Sequence, residues 1–341
     1  MMKSLEYCAK QAVRTCAALK PGEKVVIIYD NAAKKIAVAI DNQAQYAEGK
    51  TEVYCMETYG QRPDNGTNPL KFPDDMRRAL ESADVSFYVA GNTKEGELES
   101  FRVPMLGAVE ENKRLRHLHL IGISEDAFLR GMSVDYNNVR DFSMKINEIV
   151  KGAKTISVTT PAGSNFTAEV GKYKWAIADG FPTPGKWVNL PDGETFTTTS
   201  NLEGHIVVDG VLGDWFSGKY GLLEKTPLAL KVSHSRIIRI QCPKNRNLEK
   251  DFIRYIDTDQ NSNRAGEFAI GTNLGLEKLI GNMIHDEKFP GVHVAFGDPL
   301  GEVTGAEWES KVHCDVVMRK CSIFVDENQI MEDGKFHASL L

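Results

Sequence analysis

The chain has 341 residues, 42% hydrophobic and 26% charged, an ordinary globular composition long enough for two domains that each bury a core. Its 41 basic and 47 acidic side chains leave a net charge of −6, the wrong sign for neutralising phosphates, which argues against nucleic acid and anionic membranes as partners. The N-terminal stretch lacks the apolar run of about 7–15 residues of an export signal, no segment nears the roughly 20 apolar residues that span a bilayer, and the six cysteines contain no Cys-x-x-Cys pair. A cytoplasmic protein with reduced thiols is expected.

Leu5, Cys8, Ala9, Ala12, Val13, Cys16 and Leu19 fall at the three-and-four spacing of an amphipathic helix over residues 4–19, ended by Lys20-Pro21-Gly22. Val25–Tyr29 is an unbroken apolar run, the mark of a strand buried on both faces of a parallel sheet. A helix over Ala33–Ala47, a strand over Glu52–Met56, a helix over Asp74–Ser82, a strand over Val85–Ala90, a helix over Val103–Asn112 and a strand over His117–Ile121 follow. This alternation predicts a doubly wound α/β domain over residues 1–150, closed by a helix near Val139–Val150. There is no phosphate loop, and Asp30-Asn31-Ala32-Ala33 stands where a dinucleotide fingerprint would follow the first strand, so nucleotide binding is not expected.

After Lys151 the texture changes. Short β-prone pieces (Thr155–Thr159, Phe166–Val170, Thr195–Thr199, His205–Val208, Leu228–Val232, Arg236–Ile240) are broken by Gly, Pro and Asn turns, with helices predicted over Leu248–Tyr255 and Leu274–Ile284. Residues 151–341 are expected to form an α+β, barrel-like domain.

Six of the eight histidines follow residue 200, which points to chemistry in this second half. Glu194 follows a Pro-Asp-Gly turn at the mouth of a strand, Glu267 and His293 stand in apolar strands, and His313 and Asp315 are two apart in another strand and so share a face. Burying ionised carboxylates without a cation costs several kcal/mol each. Arg264 could offset one of them; a divalent metal pair would serve for all five residues, since nitrogen and oxygen ligands suit zinc, cobalt, manganese or iron. His285 and Glu287 read as a charged helix end, and Cys314 as a core thiol.

Pro191-Asp192-Gly193-Glu194-Thr195-Phe196-Thr197, Gly266-Glu267-Phe268-Ala269-Ile270-Gly271, Asp286-Glu287-Lys288-Phe289-Pro290-Gly291-Val292-His293 and His313-Cys314-Asp315 stand in the order seen in the aminopeptidase T/aminopeptidase S metallopeptidases, which the chain resembles over roughly residues 150–341. The resemblance implies a cytoplasmic homodimer of two-domain subunits that hydrolyses the N-terminal bond of short peptides through a metal-activated water. It puts one or two divalent ions on Glu194, Glu267, His293, His313 and Asp315, with Glu267 as proton shuttle and Glu194 as bridge. A tyrosine ligand of that family falls on Leu300, which cannot coordinate a metal; Asp298 is the candidate substitute. The related 2,5-dihydroxypyridine dioxygenases are similar in the same domain. They imply the alternative, a single Fe(II) on His293, His313 and Asp315 in a ring-cleaving enzyme; the position of Glu267 is a histidine in them and that of Glu194 is not an acid. The two glutamates therefore favour hydrolysis at this stage. An inactive peptide-binding protein is the third reading.

Overall fold

The computed structural model describes residues 3–91 and 93–341. The chain is mixed α/β and divides into two compact units, Met1–Asn138 with Asp179–Asp192, and Val139–Ala178 with Gly193–Leu341. The division therefore falls inside the helix Tyr136–Val150 rather than at residue 150, and the segment Asp179–Asp192 returns to the first unit.

The first unit is built on a five-stranded parallel sheet in the order Lys50–Cys55, Lys24–Tyr29, Val85–Ala90, Arg116–Ile121, Lys186–Asn189. Val25–Ile28 and all of Val85–Ala90 are buried, as unbroken apolar strands in such a sheet must be. The last strand, supplied by the returning segment, was not predicted; four residues with an exposed Trp187 carry too little pattern to declare a strand. Within the sheet, His117 and His119 are both buried, with His117 Nδ1 2.7 Å from Ser86 Oγ and His117 Nε2 3.2 Å from His119 Nδ1. Burial pushes the His117 pKa down to about 3, and that of His119 well below the usual imidazole range.

The second unit holds two antiparallel sheets of eight and five strands. Their apolar faces, with residues of the helices Tyr136–Val150 and Arg246–Tyr255, make up one hydrophobic core. The predicted helix over Leu274–Ile284 is absent, and only Met283–Asp286 is helical. Side chains there compete for the backbone: Asn273 Oδ1 accepts from the Gly275 N–H, and the Asp286 carboxylate from the N–H groups of Ile280 and Gly281. Among the described residues, no helix is long and apolar enough to cross a membrane.

Candidate metal centre

The five-stranded antiparallel sheet of the second unit runs His313–Val317, Gly291–Gly297, Ala265–Gly271, Glu194–Thr197, Ala176–Ala178. Its register sets Glu267 opposite Ala295 and Ala295 opposite Asp315, while His293 pairs with Ala269, His313 with Gly297 and Glu194 with Gly271. Residues directly opposite share a face and alternate along each strand, so all five predicted ligands lie on one face. Phe268, Ile270, Val292, Val294, Phe296, Cys314 and Val316 alternate with them and enter the core. A bulge between Ala265 and Glu267 sets the phase: Ala265 also faces the core, and without the extra residue Glu267 would follow it there.

Close backbone approach holds the His313 strand. Gly297 has φ 114°, and a Cβ on it would run into the Val312 carbonyl oxygen, next to His313. Gly297→Ala is therefore expected to cost more than about 2 kcal/mol of stability and to weaken metal binding as the strand moves; thermal unfolding with and without Mn(II) checks both.

The polar atoms form two groups that share Glu267. Glu194, Glu267 and His293 make one, and Glu267, His313 and Asp315 the other, each with ligand atoms within 4.8 Å of one another. His313 Nε2 lies 3.1 Å from Glu267 Oε2 and 3.4 Å from Asp315 Oδ1. His293 Nε2 lies 3.6 Å from Glu194 Oε2, 3.9 Å from Glu267 Oε1 and 3.8 Å from Asp315 Oδ1. His313 is the least covered of the five, its side chain 29% exposed. It is also oriented from behind: its Nδ1 lies 3.0 Å from the Asp298 carbonyl oxygen, which takes the ring N–H and leaves Nε2 to face the carboxylates.

Three buried carboxylates on one face need positive charge. Burial alone would lower the His313 pKa, but the Asp315 and Glu267 carboxylates override it and hold it well above the imidazole range. Burial alone would raise Asp315, and His313, with His293 and Lys288, brings it to about 2 instead. Lys288 is itself buried; its Nζ reaches Glu194 Oε1 at 2.5 Å and Glu287 Oε1 at 3.0 Å. Burial, with Asp315 and Glu194 nearby, drives the Glu287 carboxyl well above the usual range despite Lys288, toward its neutral acid. Even so, Glu194 Oε2 and His293 Nδ1 are buried without a hydrogen-bond partner. An unsatisfied buried acceptor among imidazoles and carboxylates is what a bound divalent cation corrects. The residues present fit a metal.

The structure brings all five predicted residues together in two overlapping groups. Glu267, not Glu194, is the shared carboxylate, and Glu194 is tied to Lys288. The triad His293, His313 and Asp315 does not form a compact group by itself; Glu267 stands in place of His293. Leu300 and Asp298 lie outside both groups: Leu300 precedes a short helix with φ 54°, and the Asp298 carboxylate accepts from the Leu300 N–H at 2.9 Å. Arg264 offsets no ligand carboxylate; its guanidinium lies 3.5 Å above the Trp308 ring. His285 and Asp286 are fully buried and joined at 2.7 Å, so the expected solvated helix end is an internal clamp on the loop. Lys288 was missed; its one signal is a lysine directly ahead of Phe289-Pro290-Gly291-Val292, the apolar lead into the His293 strand.

The family model for NicX, 2,5-dihydroxypyridine 5,6-dioxygenase, matches residues 4–266, a stretch that includes Glu194 and stops one residue short of Glu267. The chain is similar to the 2,5-dihydroxypyridine 5,6-dioxygenase of Pseudomonas putida KT2440, with 25% identity over 199 residues. That match covers 54% of this chain and 55% of the relative, so in sequence the chain spans about half the relative's length. Among solved structures, the 2,5-dihydroxypyridine dioxygenase of P. putida KT2440 superposes with a TM-score of 0.68 at 19% identity, covering 98% of this chain and 97% of that one. Wild-type AmpT from Thermus thermophilus gives a TM-score of 0.68 at 16% identity, covering 97% and 98%. At such identities the two structures show the fold alone. The expected aminopeptidase, and with it the hydrolase class, is overturned, because the family match and the curated relative both carry a dioxygenase's name. The two glutamates read as a mark of hydrolysis do not decide the reaction, since Glu194 is engaged by a buried lysine. The chain belongs to the 2,5-dihydroxypyridine 5,6-dioxygenase family.

Proposed function

We propose that this protein is an Fe(II)-dependent ring-cleaving dioxygenase acting on a dihydroxylated pyridine. The observation that carries the reading is the family match over residues 4–266; the cluster of buried nitrogen and oxygen donors supports it. Glu267, His313 and Asp315 would hold the ion, and a bound ferrous ion would supply the redox chemistry that adds dioxygen to an electron-rich ring.

The remaining work falls to the chain. The Asp298 carbonyl keeps the His313 ring turned so that Nε2 faces the carboxylates. Lys288 holds Glu194 at the far side of the group. On the same sheet face Phe196, Ala269 and Ala295 are apolar and buried; they exclude bulk water, and the two alanines keep that face low beside the acids. His313 marks the open side, from which a flat ring would approach.

Protein reconstituted with Fe(II) under anaerobic conditions and then given 2,5-dihydroxypyridine and oxygen is expected to consume one O2 per ring lost, and to stop on addition of a chelator. Folded, iron-loaded protein that consumes no more oxygen than free iron would falsify this reading.

A further inference from the structure

The two groups that share Glu267 are unequal. In the Glu267, His313 and Asp315 group the histidine is oriented by a backbone carbonyl at 3.0 Å, and its Nε2 lies 3.1 Å from Glu267 and 3.4 Å from Asp315. In the Glu194, Glu267 and His293 group, His293 Nδ1 has no hydrogen-bond partner to set its ring, and the Glu194 carboxylate already has an ammonium at 2.5 Å. The Lys288 side chain is 4% exposed, so its charge acts at short range with little screening by water.

We propose that Lys288 takes the place of a second metal ion: its ammonium occupies the Glu194 side of the cluster, so that the chain binds one divalent ion, on Glu267, His313 and Asp315. The contact itself supports this: the Glu194 carboxylate already holds a cation at 2.5 Å, and a divalent ion on the same carboxylate would meet like charge at short range in a buried site. Lys288 is thus a positioning residue that sets the metal count. The inference rests on the reading of this cluster as a metal centre, but not on the reaction it performs.

The test is equilibrium dialysis against Mn(II), with metal counted per chain and electron paramagnetic resonance of the loaded protein. Wild type is expected to hold one Mn(II) with the spectrum of an isolated ion. Lys288→Gln is expected to hold two, with the second bound at least tenfold more tightly than to wild type and a spectrum broadened by coupling between the ions. Lys288→Arg, which keeps the charge, should return to one. Two ions on wild type overturn the proposal without recourse to any variant. One ion on folded Lys288→Gln also overturns it and leaves the proposed function standing. Absence of metal from wild type overturns both. If the one-and-two pattern appears but the iron protein takes up no oxygen with 2,5-dihydroxypyridine, the dioxygenase reading fails and the role of Lys288 stands.

Discussion

Glu267→Gln is expected to bind divalent metal more than about 100-fold more weakly than wild type, a larger loss than the 10–100-fold typical of removing a group that merely supports a ligand. Glu267 is the one carboxylate present in both metal groups, with Oε2 3.1 Å from His313 Nε2 and Oε1 3.9 Å from His293 Nε2. Glutamine has the same shape but no charge, and its amide nitrogen cannot coordinate. The same substitution removes one of three like charges from a buried cluster, so the metal-free variant should melt no lower than wild type. This combination separates a ligand from a residue that only holds the fold. Isothermal titration with Mn(II) and thermal unfolding of the metal-free proteins measure the two effects; a variant that binds Mn(II) as wild type does would remove Glu267 from the site. Glu194→Gln should cost less affinity, because Lys288 already neutralises Glu194.

The first unit should lose stability in mild acid, and the buried His117 should account for much of that loss. The unfolded chain takes up a proton on this residue near pH 6.5, whereas the folded chain resists until about pH 3 because burial penalises the imidazolium. The unfolded state therefore binds more protons throughout that window. The contribution of His117 is complete above pH 6.5 and is lost as the pH falls toward 3, reaching about 3 kcal/mol at pH 4. His119 is shifted in the same direction and adds to the slope. His117→Gln, which can still bond to Ser86 and His119 but takes up no proton, should lose markedly less stability between pH 7 and pH 4. Urea unfolding at the two pH values reads the difference; equal losses in wild type and variant would show that His117 does not carry the acid sensitivity.

Both regions show what local pattern can and cannot carry. The strands Val25–Tyr29 and Val85–Ala90 were legible because runs of apolar residues report burial on both faces wherever they occur. His117 and His119 lie in such a strand, but nothing local said whether their rings would meet water, metal or one another. The five candidate residues were legible because each is an ionisable residue at a predicted strand or its mouth, most of them beside apolar neighbours, a local anomaly that persists whatever the fold. Their assignment to a peptidase rested on the kinds of residue present, and Glu194 had the same appearance with or without a cation beside it.

What the sequence determined, then, is the mixed α/β class and the choice of five ligand candidates, because periodicity and ionisable residues at strand positions are properties of short stretches. The tertiary structure decided what depends on distance between remote residues. The bulge at Ala265 to Glu267 set which face the glutamate takes, the sheet order made Glu267 the carboxylate common to both groups, and the loop carrying Lys288 brought its ammonium to Glu194 across ninety-four positions of chain. Short-range pattern holds no record of that last contact, because the charge that Glu194 meets is supplied by the fold.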